Sequence, residues 1–141
     1  MTRSPNEALQ GAERIATQLV DGGRDLLRWE WDDRFAAALA VVKAPGHEPV
    51  LELLARLFPF AWDSTSVARA PEPVRAVADD WGLKAGQRLF TLDPGDDPLL
   101  FAAWWPWGNG STFSVRVGCI ADDEDGEEAD PDAQLRRWFG L

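Results

Sequence analysis

His47 is the chain's only histidine, set between Gly46 and Glu48 in a run flanked by Pro45 and Pro49. As a general base it would need a nucleophile and an orienting carboxylate, and no serine stands in a Gly-x-Ser-x-Gly elbow. It reads instead as a solvent-facing loop residue just ahead of a helix. Cys119 is the one cysteine. With Val117 and Ile120 nearby it reads as a small buried strand hydrophobe, and alone it forms neither an internal disulfide nor a cysteine metal cluster. Carboxylates number twenty-four, so neighbours such as Asp79-Asp80 and Asp96-Asp97 carry no information by themselves. A carboxylate-dependent hydrolase therefore ranks last among the functions considered. A calcium-loop alignment over 121–132 places Asp123, Asp125 and Gly126 at the third, fifth and sixth positions. Ala121 then falls where the first ligand is needed and Asp132 where glutamate is usual. No metal or cofactor is expected, and no glycine loop is built to cradle phosphate.

Binding chemistry is better represented. The chain has eight tryptophans and seven phenylalanines but no tyrosine. Three of the indoles fall in Trp104-Trp105-Pro106-Trp107, just before the turn Gly108-Asn109-Gly110. Tryptophan and arginine are enriched at binding hot spots, which makes Trp104, Trp107 and the nearby Arg116 candidates for a partner surface. Asp122, Asp123, Glu124 and Asp125 join them for a different reason. They open a stretch, 122–132, that holds eight acids and no base, within a chain of net charge −10. The remainder is close to neutral. An acidic segment of this kind reads as a mobile, solvated loop over 122–130 that can steer onto a basic protein. With no basic stripe, direct nucleic-acid binding is disfavoured.

These residues depend on the elements that carry them. Ser4-Pro5-Asn6-Glu7 is a helix start with a serine cap, and Ala8, Ala12, Ile15, Ala16 and Leu19 then share one face until Gly22-Gly23. Leu27, Trp29 and Trp31 alternate with Arg28, Glu30 and Asp32 as in a half-buried strand. Residues 34–44 fit either the second arm of a hairpin turning at Asp32-Asp33 or a short helix; Val41-Val42 favours the hairpin. A helix follows from His47 to Pro59, then a loop from Ala61 to Pro71, then a helix from Glu72 closed by Gly82. Three strands come next (87–93, 98–106 and 111–120), the middle one apolar on both faces. Asp130-Pro131 starts a last helix carrying Leu135, Trp138 and Phe139, with Arg136 and Arg137 suited to its dipole.

Pro106 constrains the hairpin between the last two strands, because it has no N–H to give to the ladder. A two-residue turn at Asn109-Gly110 sets Pro106 opposite Phe113 at a hydrogen-bonded site. A three-residue loop, Gly108-Asn109-Gly110, avoids this and gives Gly110 a positive φ. The latter places Trp105 on the core face with Phe113, Trp107 at its rim, and Trp104 on the opposite face beside Ser114. A one-residue slip exchanges the faces.

The resulting expectation is a single α+β domain over 1–141. An antiparallel sheet of three to five strands, ending in a three-stranded meander, carries about four helices mainly on one face. The first twenty residues hold Arg3, Glu7, Glu13 and Arg14 without an apolar block, so a cytoplasmic protein is expected, with no membrane span. The favoured function is a non-enzymatic protein-binding domain of bacterial type, an immunity- or antitoxin-type inhibitor of a basic partner, with a homodimer left open. The alternative is a small-molecule-binding domain with a tryptophan-lined pocket. The helix at 72–82 followed by the meander from Leu99 to Val115, with its glycine turn, resembles in outline the SUKH superfamily of immunity proteins. That resemblance spans about half the chain and assigns no residue a role.

Overall fold

A computed structural model describes residues 5–96, 98–120 and 131–141. The first helix, α1 (Pro5–Gly22), buries the predicted face of Ala8, Ala12, Ile15, Ala16 and Leu19. Its expected cap, Ser4, lies outside the described residues.

The ambiguous segment is a hairpin: β1 (Glu30–Asp32) pairs antiparallel with β2 (Ala37–Lys43). The strand is shorter than the alternation from Leu27 suggests. The N–H groups of Leu26 and Leu27 bond the Gly23 carbonyl at 2.9 and 2.7 Å, so this stretch finishes a turn rather than joining the ladder. The reversal is also wider than Asp32-Asp33. Residues 33–36 turn, with Ala36 in the left-handed region at φ 51°.

Helix α2 (His47–Leu57) ends before Pro59, as its sequence requires. The expected loop at 61–71 is not all loop. β3 (Phe60–Asp63) pairs with β4 (Arg88–Thr91), and a single 3-10 turn spans Ser66–Arg69. Pro59 before this strand and Asp63-Ser64-Thr65-Ser66 after it read as punctuation. Asp63 ends the strand by accepting the N–H groups of Thr65 and Ser66 at 2.9 and 2.8 Å. Helix α3 (Glu72–Trp81) closes at Gly82, φ 72°, where the Gly82 and Leu83 N–H groups both reach the Ala78 carbonyl. β5 (Leu99–Pro106), β6 (Thr112–Ile120) and α4 (Pro131–Phe139) complete the chain.

The sheet has six strands in the order β1-β2-β6-β5-β4-β3, all antiparallel, one more than the largest number expected. The short edge strand β3 makes the difference. The α+β class, the four helices and the meander stand as expected. Central β5 is buried along Leu99–Trp105, as a strand covered on both faces must be.

The two faces are covered unequally. One carries Ala38, Ala40, Val42, Phe113, Val115, Val117, Leu100, Ala102, Trp104 and Phe90, as the register places them. Against it lie α1 and α4, and α2 through His47 stacked on Phe113; α1 touches both α2 and α4. The other face carries Phe101, Trp105, Arg116, Ser114, Leu39 and Val41. α3 reaches it through Trp81, which meets Phe101 edge-on at 4.9 Å and stacks on Trp105 at 5.7 Å. Gly118 pairs with Phe101 on this second face. A Cβ at that glycine would come within 2.5 Å of the Phe101 ring, so the ring lies where a side chain would otherwise stand.

Candidate functional site

The register of β5 against β6 decides where each indole points. Pro106 sits opposite Phe113, Trp105 opposite Ser114 and Trp104 opposite Val115. This reverses the expected assignment: Trp104 belongs to the helix-covered face with Phe113, and Trp105 to the face beside Ser114. The physical requirement behind the expectation holds all the same. The Trp107 N–H donates to the Thr112 carbonyl at 2.8 Å, making 107–112 the last hydrogen-bonded pair. By alternation Pro106 then falls at a site where no N–H is needed. A four-residue loop, Gly108–Ser111, meets that need in the other register. Asn109 holds it: its Oδ1 accepts the N–H groups of Ser111 and Thr112 at 2.9 and 3.0 Å, and its Nδ2 donates to Thr112 Oγ1 at 3.1 Å. Gly110 takes the expected positive φ, 73°.

Trp104 is therefore core rather than exposed, 3% accessible and stacked on Phe113 at 5.0 Å. Phe113 in turn stacks on His47 at 4.3 Å with the rings 7° from parallel. His47 is thus a half-buried first residue of α2 rather than a solvent-facing loop residue. Cys119 is buried in β6 as expected. Trp107 is 49% exposed and shares the face of Trp105, its indole Nε1 donating to Ser114 Oγ at 2.6 Å. Beside Ser114 across the ladder stands Val41, 41% exposed. Trp107 and Val41 so form the open end of the second face.

Arg116 lies in the middle of that face. Its Nε donates to Asp32 Oδ2 at 2.9 Å, and its guanidinium carbon sits 4.9 Å from both the Phe35 and Trp105 ring centres. Phe35 packs against Trp105 at 5.6 Å and Trp81 at 5.1 Å, closing a stack of three rings. Asp32 ties the arrangement to the β1–β2 turn, its Oδ1 accepting the Arg34 N–H at 3.0 Å. Burial by itself pushes the Asp32 carboxyl up. The Arg116 bond, the backbone N–H groups of Arg34 and Phe35 and the Arg116 charge outweigh it and hold the carboxyl below its ordinary value. With the pair side chains 19% and 14% exposed, it is a partly buried latch rather than a surface ion pair. A hollow of about 430 Å³ lies alongside, lined by Arg34, Phe35, Asp79, Asp80, Trp81 and Gly82.

Of the sequence candidates, the structure brings Trp107 and Arg116 to one face, buries Trp104 on the other, and leaves Asp122, Asp123, Glu124 and Asp125 outside the described residues. Positions 121–130 of the calcium-loop alignment and Asp97 lie outside them too, while its last position, Asp132, falls in the first turn of α4. Asp79 and Asp80 are exposed at the end of α3. Among the described residues, no three histidines, cysteines or carboxylates are grouped to hold a metal, and no helix is long and apolar enough to cross a membrane. Sequence reasoning missed Phe35, Trp81, Asp32 and Val41. Their signal was long-range: Val41 comes beside Ser114 through the β2–β6 register, Asp32 and Phe35 reach Arg116 from the β1–β2 turn, and Trp81 reaches Trp105 from the end of α3. No protein-family model, no curated protein and no solved structure matches the chain.

Proposed function

We propose that the chain is a non-enzymatic protein-binding domain that docks by the open end of its second sheet face. The observation that carries this reading is the pairing of Trp107 and Val41, both more than two-fifths exposed, on one strand-built surface next to Arg116. A rigid indole on a sheet presents contact area at small entropic cost, and arginine beside it is the usual hot-spot companion. The acidic segment at 122–130 adds the choice of partner: eight acids over 122–132 favour approach of a basic protein, as an immunity- or antitoxin-type inhibitor would require.

The test is co-purification from the native host with three chains: native, Trp107→Ser and Val41→Glu. One protein enriched by the native chain and lost with both variants supports the reading. Recovery of the same set by all three overturns it. Sedimentation of the native chain alone separates a foreign partner from a second copy. Self-association abolished by Val41→Glu would make this face a dimer interface instead. Deleting 122–130 should slow association and flatten its salt dependence, and unchanged kinetics would remove the basic partner from the proposal.

A further inference from the structure

A second feature lies away from the sheet-face surface. Between α1, α2 and the β3–β4 edge is a hollow of about 350 Å³, at the lower end of the size that takes a small organic ligand. Arg14 from α1 and Arg56 from α2 both line it, over an apolar floor that includes Ile15, Leu57, Phe60 and Leu92. Neither guanidinium makes an ion pair or hydrogen bond with a described residue. Asp93 also lines the hollow, but its Oδ1 accepts the Gly95 N–H at 2.9 Å within its own turn. Gly11 stands in the middle of α1, where glycine weakens a helix by about 1 kcal/mol relative to alanine. It lines both this hollow and a neighbouring one of about 310 Å³, which it shares with Arg14, Glu7 and Gln10. Phe60 is 39% exposed at the rim and stacks parallel to Trp62 at 6.4 Å.

We infer that this hollow binds a small organic anion, a flat apolar group carrying a carboxylate, phosphate or sulfonate head. The head sits between Arg14 and Arg56, where a guanidinium offers paired N–H donors matched to such oxygens. The apolar group lies over Leu57 and against Phe60. In a chain of net charge −10, general attraction does not gather anions, so a saturable site requires local recognition of this kind. The inference does not depend on the protein-binding reading, since no residue is shared with the Trp107 face.

The probe is 1-anilinonaphthalene-8-sulfonate, titrated into the full native chain and followed by its fluorescence and by the backbone amide resonance of Gly11. Expected is one saturable site, a shifted Gly11 resonance, and binding weakened about tenfold by Arg14→Gln and by Arg56→Gln, whose exposed side chains leave the fold intact. Arg75→Gln, on α3, should leave the affinity unchanged. Binding that does not saturate, that both hollow variants leave unaltered, or that Arg75→Gln weakens equally would overturn the inference. Because the Gly11 resonance is read on the unmutated chain, a poorly folding variant does not remove the test.

Discussion

The two faces of this sheet close by different means. On one, Trp104, Phe113 and Val115 lie in the apolar core on the helix side, with the His47 ring of α2 stacked on Phe113. On the other, Trp105 meets one helix end, one turn and a charged side chain, so that Phe35, Trp81 and Arg116 do the covering. The first arrangement buries area without leaving anything to present. The second stops short, because α3 and the 33–36 turn reach only part of the face. Where they stop, Trp107 and Val41 are left open. Stability is thus concentrated on one side and surface chemistry on the other.

That contrast can be broken most severely from the helix side. Trp104→Ala should lower stability by about 3–5 kcal/mol, because it empties an indole-sized volume between Phe113 and the helices. Urea denaturation checks it, and a loss below about 1 kcal/mol would mean the helix layer is not the stabilising one. Gly118→Ala comes next, at about 1–3 kcal/mol, since its Cβ would meet the Phe101 ring at 2.5 Å. A loss as large as that of Trp104→Ala would erase the difference between the faces.

Arg116→Met should cost about 1–2 kcal/mol near neutral pH, partial exposure of the pair trimming the effect. Its signature is the acid limb. Asp32 is held below its ordinary pKa, so the unfolded chain takes up that proton first. The stabilisation is complete above the usual carboxylate range, near pH 4, and is lost as pH falls through the lower folded value. Denaturation midpoints measured across that range should fall less steeply in Arg116→Met than in the native chain. Equal slopes would mean that the latch does not hold the turn. The smallest effect belongs to Val41→Thr, within about 0.5 kcal/mol, because the site is exposed and threonine keeps the β-branched shape. Loss of partner binding without loss of stability at that site would sharpen the division most.

Much of the fold was legible because local rules act alone in places. The apolar stripe from Ala8 to Leu19 needs only a 3.6-residue period, and the stop at Gly82 needs only a residue that tolerates φ 72°. Legibility failed at β3, where four residues between Pro59 and an Asp63-capped turn carry too little pattern to read as a strand. They become one only because β4 offers an edge to pair with.

The candidate site shows the same boundary more sharply. The sequence by itself determined that Pro106 avoids a hydrogen-bonded position and that Gly110 takes a positive φ, since both follow from covalent geometry. It also determined the alternation, so that Trp104 and Trp105 must face opposite ways. Which way was decided by tertiary structure. Two loop lengths satisfy Pro106, and the four-residue loop held by Asn109 seats Trp104 under the helices and Trp105 beside Arg116. A one-residue difference in loop length carries little local energy, whereas the choice of face settles which indole fills the apolar core and which joins a half-buried ion pair with a strand partner eighty-four residues away in sequence.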